Sequence, residues 1–223
     1  MLYVVATPIG NLGDITYRAV ETLKAADLIA CEDTRRTRVL CDHYGITAPL
    51  TSYHSYNQRT KGERLLVALR EGKRVALVSD SGTPGISDPG AVLVRQAVEA
   101  GIGVEAIPGP TALIAALCVS GLPTHRFVFE GFLPVKSGAR RRRLENLRAF
   151  GGTMIFYESP HRLVKTIDDI LAVLGDRPLA VGRELTKKFE ELWRGGVLNF
   201  RQRCLRMPPR GEYVLVVGAG EKV

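Results

Sequence analysis

Three stretches set proton-transfer and cationic groups where turns are also expected. Cys31-Glu32-Asp33-Thr34-Arg35 places carboxylates beside a guanidinium. Ser52-Tyr53-His54-Ser55-Tyr56-Asn57 places an imidazole among hydroxyls, and Glu158-Ser159-Pro160 ends an apolar run on a carboxylate. Asp33, His54 and Glu158 are therefore candidate proton acceptors, and Arg35 a candidate orienter of a phosphate. Each stretch also has a purely structural reading. Asp33 or Thr34 would cap a helix whose dipole Glu32 complements, the His54 segment would be a capped loop, and Glu158 would cap the next helix. The four cysteines and four histidines show no ligand spacing, so neither a disulfide framework nor a metal site is expected.

Three further loops are rich in glycine and proline. They are Thr7-Pro8-Ile9-Gly10-Asn11-Leu12-Gly13-Asp14, the run from Ser79 to Gly90 (SDSGTPGISDPG), and Pro108-Gly109-Pro110-Thr111-Ala112. Glycine permits close backbone approach to a ligand and proline fixes its direction. None of the three matches GxGxxG or GxxxxGK[ST], which argues against a dinucleotide or P-loop nucleotide.

The elements that must position these loops are read from periodicity. Strands are expected at Leu2–Ala6, Asp27–Cys31, Arg74–Ser79 and Val104–Ile107. Helices are expected at Thr16–Ala26, from Thr34 to a stop at Gly45, at Asn57–Glu71, Pro89–Ala100 and Thr111–Val119. This alternation predicts right-handed βαβ units on a mostly parallel sheet, with the three loops at the carboxyl ends of its strands. A turn at Ser120–Thr124 then divides the chain into residues 1–120 and 121–223. The second part is read as a segment Phe127–Leu133, a basic helix at Ala139–Phe150, and a strand at Thr153–Glu158. A helix at His161–Leu174, a strand at Pro178–Leu185 and a helix at Thr186–Trp193 follow. Val197–Cys204 and Tyr213–Val217 are read as closing strands.

Charge separates the two parts. Residues 1–120 hold 12 Lys+Arg and 12 Asp+Glu, whereas residues 121–223 hold 19 against 11, so the whole net charge of +8 lies in the second part. Arginine outnumbers lysine 23 to 8, which suits a polyanionic partner such as a nucleic acid. The run Arg140-Arg141-Arg142-Arg143 is the candidate RNA-backbone contact, set against a plain solvated helix face. Arg201, Arg203 and Arg206 lie on the strand-like run Val197–Cys204 and just beyond it. The longest clean apolar run, Ala112–Val119, has eight residues, against about 20 for a membrane span. The N-terminus reads as a first strand and not as a signal peptide. A soluble, cytoplasmic protein is expected.

TPIGNLGD (7–14), CEDTR (31–35), SDSGTPGISDPG (79–90), IPGPTA (107–112), FEGFLP (129–134), FYESPHR (156–162) and GRELTK (182–187) together resemble one family. It is the ribosomal RNA small subunit methyltransferase I family, within the tetrapyrrole-methylase-fold (class III) methyltransferases. The resemblance runs from residue 2 to about 218. It implies two α/β domains with S-adenosylmethionine folded in a cleft between them, and 2′-O-methylation of a cytidine ribose in small-subunit (16S) ribosomal RNA. It also implies a homodimer. By the same resemblance the cofactor would touch Pro8, the turn Ser81-Gly82-Thr83-Pro84-Gly85-Ile86, and Gly109, Pro110, Thr111 and Ala112, with Tyr157 as a wall for the adenine. Relatives acting on tetrapyrroles carry Gly-Asp-Pro where this chain has Gly82-Thr83-Pro84, so the Thr83 side chain need not repeat their contact. Fold does not fix substrate. A small-molecule methylase of the same fold and a non-catalytic RNA binder are the alternatives, and the basic second part and the three intact loops respectively argue against them.

Overall fold

A computed structural model describes residues 1–220. The chain forms two compact units, Met1–Thr111 and Ala112 onward. The expected boundary at residue 120 instead falls at the end of a helix, Ala112–Val119, which belongs to the second unit.

The first unit is an all-parallel five-stranded sheet. Its strands are β1 (Leu2–Val5), β2 (Leu28–Cys31), β3 (Leu50–Ser52), β4 (Val75–Leu77) and β5 (Val104–Ile107), in the order β3-β2-β4-β1-β5. Four helices connect them: α1 (Tyr17–Ala25), α2 (Thr34–Tyr44), α3 (Gln58–Arg70) and α4 (Gly90–Glu99). Because successive strand residues face opposite ways, the apolar strands divide between two cores. Val5, Ile29, Cys31, Ala76 and Val78 pack under α1 and α2 through Ala19, Leu23, Leu40 and Cys41. Leu2, Ala30, Val75 and Leu77 pack under α3 and α4 through Leu65, Leu69, Leu93 and Ala97. Each fully buried leucine contributes about 1.5–3 kcal/mol to this closure. The short strand β3, entered from Pro49, escapes a reading by periodicity because three residues carry no period.

Strand order and helix placement together mark a site. The chain leaves β1 towards β2 through α1 on one face and leaves β4 towards β5 through α4 on the other. β1 and β4 are hydrogen-bonded neighbours, so the loops beyond their carboxyl ends diverge at a topological switch point.

The second unit is a mixed sheet of β6 (Phe127–Phe132), β7 (Thr153–Glu158), β8 (Pro178–Arg183), β9 (Glu191–Gly196) and β10 (Tyr213–Val217), in the order β6-β7-β10-β8-β9. Helices α6 (Ser137–Leu147), α7 (Leu163–Leu174) and α8 (Val197–Arg206) share one core with Met154, Phe156, Val181 and Leu215. Helix α5 (Ala112–Val119) packs against β7, β8 and β10. Two expectations are corrected here. Thr186–Trp193 is not a helix, because Glu184 and Thr186 adopt left-handed φ values of 48° and 66°, and Glu191–Gly196 pairs antiparallel with Pro178–Arg183. Val197–Cys204 is not a strand but most of α8, and its buried residues Val197, Phe200 and Cys204 follow the helical and not the alternating period.

Candidate functional site

The loops after β1, β4 and β5 are tied to one another by hydrogen bonds. Thr7 and Gly82 exchange backbone bonds, Thr7 N–H to Gly82 C=O at 2.9 Å and Gly82 N–H to Thr7 C=O at 3.0 Å. The Thr7 hydroxyl donates to the Ser79 carbonyl at 3.1 Å, and the Thr83 hydroxyl donates to the Pro110 carbonyl at 3.1 Å. The Thr83 side chain therefore joins two loops. Asp88 Oδ1 closes the turn by accepting the N–H groups of Gly85 (2.7 Å) and Gly90 (2.8 Å).

Two glycines are required sterically. Gly82 sits at φ +85°, and a Cβ there would lie 3.3 Å from Ile9 Cγ2. At Gly109 a Cβ would lie 2.9 Å from Ala6 Cβ, closer than carbon atoms pack. Gly109 thus lets its loop lie against the end of β1, whatever ligand it meets.

Pro8, Ser81–Ile86 and Gly109–Thr111 are brought together in the first unit. Gly82 and Pro84 are buried and shape the turn from inside, whereas Ser81, Gly85, Ile86 and Gly109 are exposed. Ala112 and Tyr157 belong to the second unit. There the Tyr157 hydroxyl accepts the Leu113 N–H at 3.1 Å, and its ring stands edge-on to Phe129 and Phe132. The three loops of the first unit contain Asp14, Asp80 and Asp88 but no lysine or arginine. Such a surface repels a polyphosphate and suits a ligand with a cationic centre. An exposed Ile86 beside backbone polar groups adds an apolar contact for a ring. These features fit S-adenosylmethionine, a sulfonium cation carrying an adenine.

The loop after β2 lies on the same edge, beside the loop after β4. Asp33 caps α2 by accepting the Arg35 N–H at 2.9 Å, as the structural reading of CEDTR expects. Its two oxygens also take Arg35 Nε at 3.0 Å and Nη2 at 2.7 Å. These bonds from Arg35 hold the Asp33 carboxyl down at about 2. A carboxylate so stabilised is a weak proton acceptor. The Arg35 guanidinium is held on one edge by this pair, yet its side chain is 89% exposed. Glu32 is the opposite case. Burial and then the charges of Asp80 and Asp88 raise its pKa, against the Asp80 N–H that approaches Oε1 at 3.5 Å. Sequence reasoning gives Glu32 only a dipole role, because its desolvation depends on loops far away in the chain.

His54 follows β3 on this edge and is half-buried. Its N–H donates to Asn57 Oδ1 at 2.9 Å, and Asn57 Nδ2 lies 3.2 Å from its Nε2. Asn57 Nδ2 can only donate, so Nε2 is the accepting atom of that contact. His54 Nδ1 is buried without a partner. As arranged, the imidazole braces its own loop.

Glu158 and Arg140 are corrected. Glu158 is buried, with Oε1 taking the Ser159 N–H at 2.8 Å and Oε2 the Thr166 hydroxyl at 2.6 Å, while Arg162 lies 3.4 Å away. Both oxygens are engaged in joining β7 to α7 and the side chain is wholly buried, so the carboxylate is not presented to a substrate. Arg140 is 3% exposed and donates to Asp169 through Nε at 2.7 Å and to the Val135 carbonyl at 3.1 Å. It locks α6 to α7 and cannot reach an RNA backbone. Arg141 and Arg143 are exposed but paired, with Asp169 and Glu130 respectively, each at 2.5 Å. Arg142 is exposed on the same helix. Arg201, placed on a strand by sequence, lies on α8 and pairs with Asp168 at 2.9 Å.

Similarity to known proteins bears on what this arrangement does. The profile of the Tetrapyrrole (Corrin/Porphyrin) Methylases matches residues 1–198. A protein of Halalkalibacterium halodurans named ribosomal RNA small subunit methyltransferase I is 52% identical over 223 residues, covering 100% of this chain and 77% of that protein. One of the same name from Mesorhizobium japonicum is 53% identical over 222 residues, 99% and 76% respectively. Among solved structures, the methyltransferase CobJ superposes with a TM-score of 0.71 at 22% identity, over 100% of this chain and 96% of that one. Uroporphyrin-III C-methyl transferase from Thermus thermophilus, complexed with S-adenosyl homocysteine, gives 0.69 at 21% identity, over 97% and 96%. At such identities the two structures establish the fold.

Proposed function

Because the chain belongs to the ribosomal RNA small subunit methyltransferase I family of the Tetrapyrrole (Corrin/Porphyrin) Methylases, we propose that it methylates the 2′-oxygen of a cytidine in small-subunit ribosomal RNA, with S-adenosylmethionine as donor. When bound, that cofactor supplies an electrophilic methyl group on a cationic sulfur. The observation that carries the reading is the convergence, on one sheet edge, of three lysine- and arginine-free loops, two of them acidic, with the Glu32–Asp33–Arg35 cluster.

In this reading Pro8, Ser81–Ile86 and Gly109–Thr111 hold the cofactor. The ribose hydroxyl must be held in line with the methyl carbon, so positioning supplies a large share of the rate. Arg35, fixed by Asp33, holds a phosphate or the ribose. Glu32 takes the hydroxyl proton, since desolvation makes it the better acceptor of the two neighbouring carboxylates. Asp33 orients Arg35, and His54 steadies the adjacent loop. Exposed Arg141, Arg142 and Arg143 grip RNA backbone, supported by the +8 balance of residues 121–223.

A small-molecule methylase of this fold remains the competing reading, and about 50% identity to ribosomal RNA enzymes over nearly the whole chain favours RNA. The reading carries a cytoplasmic location, where the rRNA lies, and a homodimer, to be checked by light scattering. No helix among the described residues is long and apolar enough to cross a membrane. The deciding experiment incubates the protein with small-subunit particles, or their naked RNA, and methyl-labelled cofactor. Nuclease digestion and mass spectrometry should return 2′-O-methylcytidine. Label on a base, or none on RNA but transfer to a tetrapyrrole, would overturn the proposal.

A further inference from the structure

The second unit holds a cavity of about 370 Å³ between β8, β9, α8 and the segment that leads into β10. Its volume lies in the range of about 300–1,000 Å³ typical of small-ligand sites. The buried side chains of Val181, Phe200, Cys204 and Tyr213 make an apolar floor. Trp193, partly exposed and tilted against Phe200 at 4.9 Å, makes one wall.

Arginines ring this floor. Arg183, Arg203, Arg206 and Arg210 line the cavity with Glu191 as the single acid, a formal excess of three positive charges. Glu191 is committed to two of them, since it pairs with Arg183 at 3.5 Å and with Arg203. Arg206 and Arg210 are exposed at the rim. The rim is fixed by its backbone, because the Arg210 carbonyl accepts Arg183 Nε at 2.7 Å and its N–H donates to the Tyr213 hydroxyl at 3.1 Å. The segment carrying Arg206 and Arg210 is therefore held in place before any ligand arrives.

An apolar, aromatic floor takes a flat ring, and guanidinium groups at the rim take an anion joined to that ring. A simple anion has no use for the floor, and an aliphatic chain has none for the rim. Unpaired nucleotides combine a stacking base with a phosphate, and single-stranded nucleic acid is held by aromatic side chains beside cationic ones. We infer that this cavity docks an unpaired nucleotide of the RNA, its base against Trp193 and its phosphates on Arg206 and Arg210. The inference rests on the RNA reading above and adds a second point of attachment, one that recognises a single-stranded segment.

Trp193 is the chain's single tryptophan, so its fluorescence reports on this cavity directly. Titrating the full-length protein with an unstructured hexaribonucleotide, without cofactor, should quench that emission saturably. Arg206→Ala/Arg210→Ala should weaken binding about tenfold or more and lower the log–log salt slope by about 1.4, or about 0.7 for each single-strand phosphate no longer neutralised. Its melting temperature should match that of the parent, as both side chains are exposed. Arg206→Lys/Arg210→Lys, which keeps the charge, should recover part of the affinity. No quench, a quench unaltered in the alanine variant, or equal saturation by inorganic phosphate would overturn the nucleotide site. In methyl transfer to small-subunit particles, the alanine variant should raise KM for RNA more than it lowers kcat. An unchanged KM in an active enzyme would overturn this site and leave the proposed reaction standing. Saturable quenching by a wild-type protein that methylates no RNA would overturn the reaction and leave the site.

Discussion

Asp80 Oδ1 accepts the backbone N–H of Asp33 at 2.9 Å, joining the loop after β4 to the start of α2. The two residues are far apart in sequence and adjacent at the sheet edge, because β2 and β4 are paired strands. The same Asp80 meets Arg36 at 3.6 Å and adds to the field that raises the pKa of Glu32. One carboxylate thus ties the loop after β4 to the Glu32–Asp33–Arg35 cluster.

The Asp33–Arg35 pair predicts a pH signature. Asp33 is held at about 2, below its ordinary 3.8. Its contribution to stability is therefore present above about pH 4 and is lost as pH falls through about 2. Carboxyl-carbon NMR should place its titration near 2, and Arg35→Gln should return it towards 3.8. An unmoved titration would remove Arg35 as the cause. Asp33→Asn should reduce turnover, with little change in cofactor affinity. A variant with normal turnover and a lower melting temperature would leave Asp33 as a helix cap alone.

Glu32 carries the opposite sign. Its pKa is raised by burial, so its ionisation opposes folding as pH rises through that value. Glu32→Gln keeps an oxygen for the Asp80 N–H and removes the half-buried charge. The variant should melt higher at neutral pH while turnover falls by about 10²-fold or more, the range of a missing general base. The acid limb of the pH–rate profile should disappear with it. Full turnover in Glu32→Gln would reject the assignment.

Gly109 packs its α-carbon against Ala6. Gly109→Ala forces a Cβ to 2.9 Å from Ala6 Cβ, and overpacking of this kind costs about 1–3 kcal/mol. Calorimetry should show weaker S-adenosylmethionine binding together with a lower melting temperature. Ala6→Gly in the same chain should restore the larger part of both. Loss of binding at unchanged stability, with no rescue, would mean that the ligand itself fills the space.

The four consecutive arginines should separate by role. Arg140→Ala leaves Asp169 buried with one cation fewer and should cost about 3–5 kcal/mol, as removal of one partner from a buried pair does. Arg142→Ala should leave the stability within about 0.5 kcal/mol of the parent. It should reduce the salt slope of RNA binding by about 0.7 to 0.9. Equal stability losses at both positions would contradict the burial difference between them.

The chain by itself determined the alternation of strands and helices in the first unit except for the three-residue β3, since apolar runs bounded by glycine stops specify βαβ units locally. It also determined which loops gather, because in a parallel sheet every strand's carboxyl end lies on one edge. The Asp33 cap was legible too, as capping reaches only two residues ahead. Tertiary structure alone decided the rest. Arg140 and Arg142 are identical in type, and only the packing of α6 on α7 turns one towards Asp169 and the other to solvent. Glu158 is open to both a reactive and a capping reading until Thr166, on the next helix, is brought to 2.6 Å. The segment from Thr186 to Trp193 has helix-forming composition, but left-handed residues and the pairing of β9 with β8 override it. Glu32 takes its raised pKa from burial and from Asp80 and Asp88, residues that only the folded sheet brings near. Charge, burial and proton affinity depend on neighbours supplied by distant parts of the chain, and local spacing carries no record of them.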